Sequence, residues 1–117
     1  MPTLNLSLSP PQDPARLAAL AEALTAITGA TLDKRAAVTA VLIDERPATH
    51  WAIGGKAPQQ PTAWLEIKVT AGTNSADQKA TFITAAFAEL QQQLAPGGQT
   101  QRARHVARER ATESHPA

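Results

Sequence analysis

Two runs of alternating residues, each followed by a capped amphipathic segment, constrain this chain more than any other feature. In the first run Leu4, Leu6 and Leu8 share one side of an extended segment, and Thr3, Asn5 and Ser7 share the other. That period of two belongs to a strand with one buried face. Asp13 followed by Pro14 marks a helix start, an N-cap acceptor with proline at the first helical position. Leu17, Leu20, Leu24 and Ile27 then recur at helical spacing, and Gly29 is the predicted stop. Ala37 to Ile43 is apolar on both sides, the pattern of a strand buried in a parallel sheet. Residues 2–44 therefore read as one βαβ unit.

The pattern restarts after a connection at residues 45–60 rich in turn formers. Leu65, Ile67 and Val69 oppose Trp64, Glu66, Lys68 and Thr70, and Ser75-Ala76-Asp77-Gln78 has the form of a capping box. Ile83, Phe87, Leu90 and Leu94 form the predicted apolar stripe of a second helix, which Pro96-Gly97-Gly98 ends. Propensity favours a short basic helix over 102–110, whereas analogy with the first half predicts a fourth strand. Asp44-Glu45-Arg46-Pro47-Ala48-Thr49 does resemble Arg108-Glu109-Arg110-Ala111-Thr112. The expected fold is α/β in the two-layer α+β sense. It is a single domain over 1–117, made of two βαβ repeats at about 2–58 and 61–115, with a four-stranded sheet and two helices on one face. The other face should then expose apolar side chains, which predicts an oligomer.

Composition removes several function classes. Eleven basic and ten acidic residues leave a net charge of +1, so no global field points to nucleic acid or a membrane surface. The absence of cysteine excludes disulfides, thiol catalysis and thiolate metal sites. His50, His105 and His115 lack metal-ligand spacing, so no metal and no other cofactor is expected. With neither a basic signal-like start nor 18 consecutive apolar residues, the expectation is a cytoplasmic protein that does not enter the bilayer.

Pro2 is the chemically unusual residue. While Met1 precedes it the ring nitrogen is an amide, and Pro2 is a passive strand start. Removal of Met1 converts it to a rigid secondary amine held at the head of a strand. Desolvation disfavours the cation of such an amine, so a neutral base near physiological pH becomes available.

Pro2 opening a strand, then Leu32-Asp33, then His50-Trp51-Ala52-Ile53-Gly54-Gly55 together resemble the tautomerase superfamily. Residues 2–55 lie over the pattern of 4-oxalocrotonate tautomerase without a gap. The doubled length resembles the fused tautomerases and macrophage migration inhibitory factor, in which one chain holds two βαβ units and three chains form a trimer. The resemblance implies a cofactor-independent tautomerase acting on a small 2-oxo or unsaturated carboxylate. In it the Pro2 amine moves the proton, an aromatic at Trp51 lines the pocket, and arginines hold the carboxylate. Two of the expected arginine positions fall on Gln12 and Ala40, which carry no charge. Repeat alignment places Arg104 opposite Ala40, which makes Arg104 the candidate substrate-binding cation.

Each of these residues also has a plainer reading. Trp51 serves equally as hairpin or interface packing, and Arg104 as a solvated charge in a basic tail. Lys34 and Arg35 read as a solvated loop, Lys68 as an outward-facing strand residue, and Pro61 as a turn former. The four arginines and two glutamates of residues 101–117 read as a solvated end rather than a phosphate-binding patch. Two alternatives stand beside the tautomerase: a hydratase or dehalogenase of the same fold, and a non-catalytic oligomeric binding protein. Ala71-Gly72-Thr73-Asn74 lacks the arginines of the related dehalogenases, which argues against dehalogenation.

Overall fold

The computed structural model describes residues 1–70, 72–94 and 109–111. Strand β1 (Thr3–Ser9) leads into helix α1 (Pro14–Leu32), and β2 (Ala40–Glu45) follows. Strand β3 (Thr62–Val69), helix α2 (Ala76–Leu94) and the short strand β4 (Glu109–Ala111) repeat that order. The sheet runs β2-β1-β3-β4, three full strands and a three-residue fourth, with β1 and β3 antiparallel at its centre. Each helix links a strand to its parallel neighbour, β1 to β2 and β3 to β4.

One face of the sheet holds the core. Leu4, Leu6 and Leu8 of β1 and Leu65, Ile67 and Val69 of β3 are buried together with Leu20, Leu24 and Leu32 of α1 and Phe82, Ala86, Leu90 and Leu94 of α2. The strand alternation predicted these inward residues. Both helix starts also form as their sequences dictate. Asp13 accepts from the Arg16 amide at 2.8 Å, and Ser75 and Gln78 exchange reciprocal bonds of 2.9 and 3.1 Å.

Several boundaries differ from expectation. Helix α1 passes Gly29 and ends at Asp33, whose left-handed backbone (φ 57°) lets its N–H reach the Gly29 carbonyl. A short acidic side chain tolerates that conformation, so glycine is not required at the stop. The apolar stripe of α2 is turned by one residue: Phe82 and Ala86 face the core, while Ile83 and Phe87 are partly buried beside it. Strand β2 starts at Ala40, because Ala36–Val38 forms a 3₁₀ turn that the Thr39 amide closes on Ala36. It sits at the edge of the described sheet, with Leu42 52% exposed, rather than buried on both faces. The open face is likewise not uniformly apolar: Leu42 and Trp64 share it with Thr3, Asn5, Ser7, Glu66 and Lys68.

Helix α1 holds no 18 consecutive apolar residues, since Arg16 and Glu22 interrupt it, although its length and mean hydropathy match those of a helix that crosses a bilayer. Its Leu20, Leu24 and Leu32 are instead packed into the core, which accounts for the same composition.

Candidate active site

Parallel pairing of β1 with β2 puts the starts of both strands at one end of the sheet and their exits at the other. At one end stands Pro2. Its ring is buried, its carbonyl accepts the Ala40 amide at 2.9 Å, and Met1 before it is 77% exposed. The starts of β1 and β2 are thereby tied together at the residue that would become the chain terminus. The next residue, Thr3, lies between Ala40 and Lys68 in register. Lys34 reaches the Thr73 hydroxyl at 3.0 Å at the same end, linking the loop after α1 to the loop after β3.

The other end holds a pocket of about 370 Å³ lined by Ser7, Arg46, His50, Trp51 and Trp64. Ser7 and Trp64 are register partners on the open face of the sheet. Arg46 leaves β2 with its amide bonded to the Leu8 carbonyl at 2.9 Å. A 3₁₀ turn at Ala48–His50 then swings the chain back, and the Trp51 amide closes it on Ala48 at 3.2 Å. Beyond Trp51 the Ile53 and Lys56 backbones pair across Gly54-Gly55. Both glycines have positive φ, 63° and 81°, which a two-residue hairpin of this kind demands.

A side chain added at Gly55 meets nothing within 4 Å, so substitution there tests backbone conformation alone. Gly55→Ala is expected to cost about 1–2 kcal/mol through the left-handed backbone. The readout is amide exchange at Ile53 and Lys56, which should quicken about fivefold to thirtyfold. Unchanged exchange would mean that the hairpin is not held in solution.

The predicted site residues separate in space. Ser7 lies five residues beyond Pro2 along β1, so at about 3.3 Å per residue the pocket that Ser7 lines is roughly 17 Å from Pro2 of the same chain. Gln12 stays near the pocket end, its amide donating to the Glu45 carboxylate at 2.6 Å. Ala40 is beside Pro2 and offers no charge. Arg104 lies outside the described residues. With Thr3 matched to Thr62, the pairs Leu8–Glu45 and Ile67–Glu109 occupy equivalent register positions, and Arg46 becomes the counterpart of Arg110. Among the described residues no group of three His, Cys, Asp or Glu could hold a metal ion.

Sequence reasoning missed Ser7, Arg46 and Trp64 and considered His50 only as a metal ligand. Arg46 is visible in the repeat of Glu45-Arg46 at Glu109-Arg110, but its neighbours depend on the β1–β3 register, which no local pattern encodes.

Comparison with known proteins matches residues 2–60 to the family described as tautomerase enzyme. Native fused 4-OT is similar over 93% of this chain and 87% of its own, at 27% identity and a TM-score of 0.77. A symmetric trimer of wild-type fused 4-OT is 22% identical with a TM-score of 0.78, covering 93% of this chain and 85% of its own. MIF2 of Leishmania major shares the fold at 16% identity and a TM-score of 0.76, over 96% of this chain and 89% of its own. No curated protein sequence matches the chain.

Proposed function

The chain belongs to the tautomerase family, and from that premise we propose that it is a cofactor-independent tautomerase whose base is the amine of Pro2 after Met1 is removed. The observation that carries this reading is the setting of Pro2, a buried ring at the head of a central strand behind an exposed Met1. The proline ring restricts rotation about its backbone, and the Ala40 bond fixes the next peptide, so the nitrogen has a defined position. Burial favours its neutral form. With an enol of a 2-oxo acid, the neutral amine accepts the hydroxyl proton, and the resulting ammonium delivers a proton to the neighbouring carbon. Proton and charge balance over the cycle, and the amine is regenerated. The substrate class is a small 2-oxo or unsaturated carboxylate.

A trimer fits this chemistry. Pro2 and Trp51 stand at opposite ends of one chain, so Trp51 lines the Pro2 site only if a second copy supplies it. Strand β2 has a sheet neighbour on one side only among the described residues, leaving an edge available to another chain. Solved relatives of this fold include symmetric and asymmetric trimers of fused 4-OT.

The direct assay is ketonisation of phenylenolpyruvate by protein whose intact mass shows Met1 removed. No turnover of any 2-oxo acid enol by that protein would favour a non-catalytic binding protein, the reading to which uncharged Gln12 and Ala40 lend support. If Arg104 holds the carboxylate, Arg104→Ala lowers kcat/KM on carboxylate substrates by at least tenfold, the scale of a lost charge-assisted pair. An unchanged kcat/KM removes Arg104 from the site.

A further inference from the structure

We propose that the pocket of Ser7, Arg46, His50, Trp51 and Trp64 binds a planar, conjugated monocarboxylate, with the Arg46 guanidinium holding the carboxylate and the two indoles holding the unsaturated body. Taken as the substrate's own pocket this rests on the tautomerase reading; as a binding site it stands alone. Arg46 is the one permanent charge among the five lining residues. Among the described residues no hydrogen bond or ion pair engages its side chain, whereas neighbouring Glu45 already accepts from the Gln12 amide. A free guanidinium offers a planar fork matched to a carboxylate. Trp51 is half-buried and Trp64 is 42% exposed, and both line the same open space of about 370 Å³, a volume in the range of small-molecule pockets. Indole faces favour a flat π-system over a flexible aliphatic chain. The Ser7 hydroxyl and the His50 imidazole add donors around the charge.

The charge count narrows the ligand further. One guanidinium pairs one carboxylate. Asp44, across from Ser7 in register and exposed, opposes a second negative group. The pocket therefore prefers an aryl or dienyl monocarboxylate to a dicarboxylate.

The chain's two tryptophans both line this pocket, so intrinsic fluorescence reports on it directly. The test uses calorimetric titration of the whole, Met1-processed protein with trans-cinnamate, fumarate and cinnamamide, together with acrylamide quenching of the tryptophans. Cinnamate is expected to bind at least tenfold more tightly than fumarate or cinnamamide and to shield the tryptophans from quencher. Arg46→Gln, which keeps the backbone bond to Leu8, should weaken cinnamate at least tenfold, and Arg46→Lys should fall between the two. Cinnamate affinity unchanged in Arg46→Gln, or fumarate binding as tightly as cinnamate, overturns the proposal. Failure of the catalytic reading shows separately, as cinnamate binding with its Arg46 dependence intact in a protein that turns over no enol.

Discussion

Replacing Pro2 with alanine is expected to lower kcat/KM for phenylenolpyruvate ketonisation about a hundredfold to ten-thousandfold, the contribution of a positioned general base. Alanine at position 2 also permits Met1 removal, so the comparison changes the amine without restoring the amide. A primary amine replaces the secondary one and loses the ring that fixes it, while the strand behind it keeps its pairing: Leu4, Leu6 and Leu8 remain in the core. The loss should therefore fall on turnover, with the thermal midpoint within a few degrees of wild type. A variant that retains full kcat/KM would show that the buried start of β1 serves only the fold.

The largest effect on stability is expected from Phe82→Ala. Phe82 is 1% exposed and heads the buried stripe that α2 lays on the sheet. Removing a buried phenyl costs about 3–5 kcal/mol, a large share of the roughly 5–15 kcal/mol that holds a domain of this size together. The midpoint should fall by roughly 10–20 °C at fixed protein concentration. Ile83→Ala, one position along and only partly buried, should cost less than half as much. Equal losses at 82 and 83 would contradict the observed orientation of α2 and favour the stripe through Ile83 and Phe87 that its sequence suggested.

That comparison marks how far the sequence could be read. Features encoded within a few residues were legible: the alternation of Leu4, Leu6 and Leu8, the Asp13-Pro14 helix start, the reciprocal Ser75–Gln78 cap, and the Gly54-Gly55 turn. Each is a local decision made by one dihedral or one hydrogen bond. Features set by partners distant in the chain were not. Val38 looks like strand, yet it lies in a turn because β2 begins where Ala40 meets the Pro2 carbonyl. Gly29 looks like a helix stop, yet α1 continues through it to bury Leu32. The stripe of α2 offered two adjacent faces, and the choice between Phe82 and Ile83 depends on the surface presented by β1, β3 and α1.

The site shows the same division. Pro2 stood out by its residue type and Trp51 by resemblance to a family pattern, but their placement at opposite ends of the sheet follows from the parallel β1–β2 pairing. The antiparallel β1–β3 pairing brings Trp64 to Ser7 and so to Arg46, a cation that the repeat alignment passed over in favour of Arg104. A pocket assembled from three separate segments leaves little trace in any one of them.

Whether a free amine at Pro2 does the chemistry is tested by two forms of one protein. Wild-type protein made with methionine removal blocked, and the same protein fully processed, differ only in whether the Pro2 nitrogen is an amide or an amine. The expected result is ketonisation by the processed form and at most a background rate from the form retaining Met1. Equal kcat/KM for the two would contradict the account.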